Sequence, residues 1–311
     1  MTRSEEPLSS SMPPGEMPSV ENNPRPVASE RPGPYFRPHL LVDAPLAGLH
    51  LSLAATGHWA ALAAVTGGII GLHAWASMHP RSPWYVRTHA RLPASETACA
   101  LTFDDGPHPE FTPRVLDELA AHGMQATFFV IGVHAQQHGA LLRRILAEGH
   151  SLGLHSWRHP RWFSLLSARR VKADLRACGD AIAEATGMPP PCLFRAPVGV
   201  RSPNVADATH ALRLTTVAWS NRLWDTQGAA APQVQRHLER AARPRAIILA
   251  HDGHEPNYPG DRSATIAALA AVLPTLPCPS RALRVVPNGS GITTVPCAAA
   301  AASTSPSQYP R

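Results

Sequence analysis

Two adjacent carboxylates, Asp104 and Asp105, come directly after an apolar run and before Gly106 and Pro107. The run, residues 99–103, has the length and composition of a buried strand. Like charges at a strand end repel each other unless a cation or a shared proton is present. The pair therefore indicates acid–base or cation chemistry, although the same four residues also form a good turn.

Two histidines four residues apart, His155 and His159, follow another apolar run, which ends at Leu154. Within one helical turn this spacing brings both imidazoles to the same side of the chain. Two imidazoles and one carboxylate form an open coordination set for Zn²⁺ or another divalent cation, with positions left for water and substrate. The spacing alone is weak support, because the chain contains 17 histidines.

Two further apolar runs end in basic side chains, Arg195 and His251. In a (β/α) barrel the carboxyl ends of the strands meet at the face that carries the active site. Acid, ligand, base and donor types at four strand ends therefore predict one catalytic site.

Short apolar runs alternate with amphipathic helical stretches from about residue 95 to residue 287. This alternation is typical of βα units and predicts an α/β fold, a distorted or incomplete (β/α) barrel of about seven strands. The predicted strands are Cys99–Phe103, Thr127–Ile131, His150–Leu154, Cys192–Arg195, Leu214–Trp219, Ala246–Ala250 and Leu283–Val286.

Capping residues mark the predicted helices between these strands. The first helix has Thr112 as its N-cap, Pro113 as its first residue and Gly123 just after its end. Two further helices are predicted over residues 141–148 and 167–186, each followed by glycine.

The two ends of the chain differ in composition from the centre. Two segments are predicted to be disordered: residues 1–38, rich in Pro, Ser and Glu, and the tail 288–311, whose last part from Ala298 is mostly Ala, Ser and Pro. Residues 46–78 contain no Asp, Glu, Lys or Arg, and the part from 58 to 78 is long enough to cross a bilayer. This segment is predicted to be a membrane anchor, with an apolar packed helix or a cleaved signal as alternatives. Equal numbers of arginines on its two sides leave its orientation open.

The formal net charge is +6, but the arginines are scattered, and no nucleic-acid partner is predicted. The five cysteines are odd in number and contain no C-x-x-C pair, which indicates neither a thiolate zinc site nor a disulfide framework. A bridge between Cys278 and Cys297 stays open for an oxidising compartment.

Four segments, taken in order, resemble the motifs of the polysaccharide deacetylase family (carbohydrate esterase family four, the NodB homology domain). They are Thr102–Pro107 (TFDDGP), His155–His159 (HSWRH), Arg195–Gly199 (RAPVG) and Leu249–His251 (LAH). The resemblance covers about residues 98–276, and the corresponding domain is assigned to residues 95–287.

The resemblance also implies a role for each motif residue. Asp104 corresponds to the general base, His251 to the general acid and Arg195 to the arginine that steadies the base. The implied cofactor is a divalent cation, zinc before cobalt, nickel or manganese. Its implied ligands are Asp105, His155 and His159.

Two departures from the family pattern affect the site. Val198 stands where the family usually has Tyr. The main-chain N–H that stabilises the oxyanion is kept at this position, but the aromatic side chain that would contact the sugar is lost. The usual Asp-Trp pair is replaced by residues 219–225, in which Asp225 is the predicted partner that orients His251. Trp157, Trp162 and Trp224 either stack against a sugar ring of the substrate or cover the hydrophobic core at the rim of the barrel.

The resemblance implies a metal-dependent hydrolase that removes N-acetyl or related acyl groups from an N-acetylated amino-sugar polymer, oligosaccharide or envelope glycan. Alternatives are a deformylase or O-deacetylase of a lipid-linked glycan, and a catalytically silent glycan-binding module. The expected location is at the membrane with the catalytic domain outside the cytoplasm, and a cytoplasmic protein is the alternative. No oligomeric state is predicted.

Overall fold

The structure is a computed structural model that describes residues 37–226, 228–286 and 291–294. Its centre is a parallel sheet of eight strands that is curled into a half-barrel. The strands are β1 Thr88–His89, β2 Ala100–Asp104, β3 Ala126–Val130, β4 Ser151–Leu154, β5 Leu193–Phe194, β6 Thr215–Val217, β7 Asn221–Arg222 and β8 Ile247–His251. Their order across the sheet is β1-β6-β5-β4-β3-β2-β8-β7. The α/β half-barrel confirms the predicted fold class.

Helices cover the sheet and precede it. They are α1 Pro38–Ala55, α2 Trp59–Met78, α3 Phe111–Ala121, α4 Gly132–Gln137, α5 Gly139–Ala147, α6 Ala168–Thr186, α7 Pro203–Ala211, α8 Ala231–Ala241 and α9 Ser263–Val272. An antiparallel hairpin of β9 Leu283–Val285 and β10 Ile292–Thr294 follows them.

Side chains alternate between the two faces of the sheet, as the pleat requires. In β2, Leu101 and Phe103 belong to the main apolar core shared with the helices, whereas Ala100 belongs to a smaller inner core. Leu283 of the hairpin also packs in this inner core. Because the inner face is the one that carries Ala100, the same alternation directs Asp104 into the half-barrel.

One predicted strand lies outside the barrel, and two strands of the barrel were not predicted. The seventh predicted strand pairs with β10 in the separate hairpin, so the sheet reaches eight strands through β1 and β7 instead. Each of these strands has only two residues, too few for a period-two pattern to be visible in a sequence.

Two boundary predictions were wrong. The first βα helix begins at Phe111 rather than Pro113, because the Thr112 hydroxyl is engaged elsewhere: it accepts from the N–H of His108 and donates to Asp252. The tail predicted to be disordered from residue 288 contains strand β10, whose Thr293 and Thr294 bond to Glu96. The rest of that tail, Cys297 included, lies outside the described residues, as does the arm 1–36.

The predicted anchor segment 46–78 forms parts of two helices, with a break at Gly57 between α1 and α2. Helix α2 has the length and hydropathy to cross a membrane, and only 6% of its most apolar window is buried in the structure. Its C-terminal end is held by Arg201, whose main-chain N–H donates to the carbonyl of Ser77 and whose guanidinium donates to the carbonyl of Pro80. Burial lowers the pKa of Arg201 to about 10.

Candidate active site

A cavity of about 380 Å³ opens at the carboxyl ends of the strands, on the inner face of the half-barrel. Asp104 at the end of β2 and His251 at the end of β8 are directly paired in register and both line it. All seven sequence-predicted site residues lie in or beside this cavity, and each of them is buried. The structure therefore brings the predicted site residues together at one place.

The three predicted ligands form a compact triad. The Nε2 atoms of His155 and His159 each lie 3.6 Å from Oδ1 of Asp105. These distances are too long for hydrogen bonds, but two bonds of about 2.1 Å that meet at a tetrahedral angle place ligand atoms roughly 3.4 Å apart. Oδ1 of Asp105 is buried without a hydrogen-bond partner. A buried unpaired oxygen that faces two imidazole nitrogens fits a divalent cation.

The two imidazoles are oriented differently. The Nδ1 atom of His155 lies 2.9 Å from the carbonyl oxygen of Arg195, so it donates there and leaves Nε2 free to bind a metal. The Nδ1 atom of His159 has no hydrogen-bond partner, and Oε2 of Glu255 lies 3.9 Å away. Burial would raise the pKa of Asp105, but these histidines and His251 lower it.

Asp104 is held by a buried guanidinium. Nη1 of Arg195 donates to Oδ1 of Asp104 at 2.7 Å and to the Thr102 hydroxyl at 2.8 Å. The guanidinium also lies 4.2 Å above the ring of Phe129. A Cβ at Gly153 would come within 2.5 Å of that ring, so glycine in β4 is what allows the ring its position.

His251 forms a fully hydrogen-bonded pair with Asp225. Its Nδ1 lies 2.8 Å from Oδ1 of Asp225, and its main-chain N–H donates to Oδ2 at 2.9 Å. Thr265 donates to the same Oδ2. Burial opposes the charge on both groups, but their mutual attraction raises the pKa of His251 and lowers that of Asp225 to about 2. The imidazolium form is thereby stabilised.

Strained backbone is concentrated at this site. Seven non-glycine residues in the described part of the chain have positive φ, and five of them belong to the site or its rim. A positive φ is especially costly for a β-branched residue such as Val198, at φ 49°. The five are Asp105, Ser156, His159, Val198 and Trp224.

Sequence reasoning missed the residues that reach the cavity from the loop after β8. Glu255 accepts from Arg161 at 2.9 Å, and Arg161 stacks 4.0 Å above the ring of Tyr258. Arg262 donates to the carbonyl of Gly253. None of these residues ends a strand, so the strand-end pattern could not have indicated them. Only the nearness of Glu255 to His251 and of Arg161 to His159 in the sequence could have suggested these two.

The three tryptophans singled out from the sequence have different surroundings. Trp157 packs against Gly132, where an added Cβ would come within 2.3 Å of the indole. Trp224 is 53% exposed and lines a groove beside the cavity, and Trp162 is exposed without lining either one. Val198, half exposed, lines both the cavity and the groove.

The half-barrel and its cleft together form an open (β/α) barrel that gathers carboxylates, imidazoles and a guanidinium at the carboxyl ends of its strands. Residues 91–217 match the family model described as polysaccharide deacetylase. The chain is 37% identical over 199 residues to a chitooligosaccharide deacetylase of Sinorhizobium fredii, a match that covers 62% of this chain and 91% of that protein. It is 36% identical over 189 residues to a peptidoglycan-N-acetylglucosamine deacetylase of Bacillus cereus, covering 60% and 84%.

Solved structures agree with the sequence comparison. The Bc1960 peptidoglycan N-acetylglucosamine deacetylase matches with a TM-score of 0.56 at 28% identity, covering 61% of this chain and 86% of that one. A family 4 carbohydrate esterase from Streptomyces lividans matches with a TM-score of 0.54 at 28% identity, covering 64% and 98%. The chain belongs to the polysaccharide deacetylase family, hydrolases of carbon–nitrogen bonds other than peptide bonds.

Proposed function

We propose that the protein is a metal-dependent deacetylase that removes N-acetyl groups from an amino-sugar glycan. The observation that carries this proposal is the pairing of Asp104 with His251 across β2 and β8, beside the Asp105 triad. Relatives named as chitooligosaccharide and peptidoglycan deacetylases support the substrate class.

The three triad atoms would hold the cation, with zinc as the first choice because two imidazoles and one carboxylate suit it. A bound divalent cation supplies Lewis-acid polarisation of the acyl carbonyl and lowers the pKa of water. Retaining Asp104 and His251 beside the triad argues against a silent binding module, which has no use for an acid and a base.

Asp104 acts as the general base in this proposal. Its Oδ1 is occupied by Arg195 at 2.7 Å, and its Oδ2 lies 3.7 Å from Nε2 of His155. Oδ2 is therefore the oxygen that accepts a proton from attacking water. Arg195 acts by positioning the carboxylate of Asp104.

His251 acts as the general acid. Asp225 binds Nδ1, so the opposite ring nitrogen faces the cavity and can deliver a proton to the leaving amine. Asp225 is a positioning residue, because it orients the ring and stabilises its charged form. Hydrolysis of the amide by water needs no covalent intermediate.

Three purified variants test these roles. Asp104→Asn and His251→Ala should keep near-stoichiometric metal and lose on the order of 10²-fold or more in turnover. Asp105→Asn should lose metal affinity and regain part of its activity at high metal concentration. Elemental analysis and acetate release from an N-acetylated oligosaccharide measure both. A metal-free Asp104→Asn beside a fully active, metal-loaded Asp105→Asn would reverse the assignment.

We extend the proposal to the location of the protein: α2 anchors it in a membrane, with the catalytic domain outside the cytoplasm. Large apolar side chains of α2 are exposed in the structure, Trp59 at 68% and Ile70 at 63%, as expected for lipid contact. The full-length chain should sediment with membranes and resist extraction by high salt. Recovery in the soluble fraction after high-speed centrifugation would remove the anchor from the proposal.

A further inference from the structure

A second cavity, a groove of about 600 Å³, adjoins the catalytic one. The two share three lining residues, Val198, Trp219 and Arg222. The far end of the groove is formed by the residues that follow helix α2, among them His79 and Arg81. We name this feature the cationic groove and define it by its basic residues. They are His79, Arg81, Arg222, His237 and Arg240.

The charge of the groove is one-sided. Three arginines and two histidines line it, and within the described part of the chain no aspartate or glutamate is among its lining residues. The catalytic cavity differs, since its Arg161 is paired with Glu255 and its neighbour Arg195 is paired with Asp104. A concave surface lined by charge of one sign concentrates ligands of the opposite sign.

Arg222 is the residue that joins the groove to the catalytic centre. Its guanidinium lies 4.1 Å above the ring of Trp224, which fixes its direction. Its Nε is buried without a hydrogen-bond partner. The N–H at this Nε has lost its water without gaining an acceptor, which is costly. An anionic oxygen at the part of the Arg222 guanidinium that lines the groove compensates for this loss, because arginine binds carboxylates and phosphates through charge-assisted hydrogen bonds.

From these observations we infer that the cationic groove binds an anionic group, a carboxylate or a phosphate, on a sugar next to the one that is deacetylated. The inference rests on the proposed function and specifies its substrate as a charged glycan. The exposed ring of Trp224, at the same wall, offers an apolar face for the sugar that carries the anion. A glycan is favoured over a lipid headgroup because the groove opens into the catalytic cavity.

Binding affinity tests the inference independently of turnover. Full-length protein in neutral detergent is titrated with oligosaccharides of equal length that are neutral, carboxylate-bearing or phosphate-bearing. The two anionic ligands should bind about tenfold more tightly than the neutral one, and the advantage should shrink as salt rises. The affinities for the carboxylate-bearing and the phosphate-bearing ligand show which of the two anionic groups the groove prefers. Equal affinity for all three ligands at low salt would overturn the inference.

Variants locate the effect. Arg222→Gln and Arg240→Gln should each reduce the anionic preference, and the double variant should abolish it. Arg240 is exposed, so its replacement carries little risk of misfolding. Arg236→Gln is the matched control, because Arg236 lies exposed on the same helix and does not line the groove. A double variant that keeps the full preference contradicts the inference.

Two further readouts separate the alternatives. Acetate release from the neutral oligosaccharide shows whether the proposed function holds, whatever the groove binds. The same titrations are repeated on protein reconstituted in neutral and in anionic vesicles. If anionic lipid, rather than anionic glycan, responds to the Arg222 and Arg240 substitutions, the groove faces the membrane surface and the glycan inference is wrong.

Discussion

The catalytic cleft has two halves, the proposed metal half with Asp105, His155 and His159, and the acid half with His251 and Asp225. In the metal half, buried polar atoms of the triad lack partners, whereas in the acid half the Asp225 carboxylate is fully paired. Oδ1 of Asp105 and Nδ1 of His159 make no hydrogen bond within the described structure. Both oxygens of Asp225 accept, from His251 and Thr265. The contrast teaches that the pair in the acid half is organised by protein contacts alone, while the proposed metal half keeps unpaired polar atoms that a bound cation would pair.

The largest expected effect is that of removing the metal. Dialysis against a chelator should abolish acetate release, and addition of zinc should restore it. Metal at 100 times its Kd should also stabilise the fold by about 2.7 kcal/mol, so the melting temperature should rise on metal addition. Calorimetry with and without metal measures this shift. A melting temperature that is insensitive to metal would mean that the triad needs no ligand.

Asp225→Asn breaks the acid half and should leave the metal half intact. Turnover should fall by about 10²- to 10⁴-fold, as when the carboxylate behind another catalytic histidine is replaced. Because Asp225 raises the pKa of His251, loss of the carboxylate should lower that pKa, and the alkaline limb of the kcat–pH profile should move to lower pH. Metal content, measured in parallel, should not change.

An unshifted alkaline limb in Asp225→Asn would show that His251 is not the group that sets it. The conservative variant Asp225→Glu keeps the charge and should retain the wild-type limb even where its kcat is lower. A purely structural role for Asp225 predicts no such distinction between the two variants.

Glu255→Gln tests whether the unpaired imidazole of the metal half has an orienting partner after all. Oε2 of Glu255 lies 3.9 Å from Nδ1 of His159, a distance that a small loop movement converts into a hydrogen bond. Metal affinity should fall by about tenfold, the lower end of the range for such partners. Arg161→Gln, which removes the other partner of Glu255, is the control and should retain metal affinity. If Arg161→Gln loses as much metal affinity as Glu255→Gln, the effect comes from a disturbed loop and not from the Glu255 carboxylate.

The smallest effect is expected for Val198→Tyr, at the rim shared by the cavity and the groove. The Val198 side chain is half exposed and faces the cavity, so the larger aromatic has room, and the proposed oxyanion donor is main chain. Metal content and melting temperature should stay close to those of the unaltered protein. Loss of either one would show that the side chain at this position supports the loop.

The sequence alone indicated the main residues of both halves of the cleft. Asp104, Asp105 and His251 each follow a strand of at least five apolar or small residues, and such runs are visible without a structure. The pairing of Asp225 with His251 was predicted from the departure in residues 219–225, and the structure supplies its hydrogen bonds.

Contacts made by loops and short strands were not predictable. Thr265 and Glu255 reach the site from the segment after β8, whose path depends on the packing of α9. Arg222 lies in the two-residue strand β7, which has no periodicity of its own. The charge of the groove arises only when α8 and the end of α2 meet, because its basic residues are spread from His79 to Arg240 in the sequence.

The left-handed backbone at the site has a consequence for engineering. A residue held in that conformation costs about 1 kcal/mol or more, and glycine carries almost none of this cost. Val198→Gly should therefore raise the melting temperature while it removes a wall shared by the cavity and the groove. A selection for heat resistance alone would favour such exchanges at Val198 and Trp224 first. The same positions that make this hydrolase less stable than its fold allows are those through which its specificity can evolve.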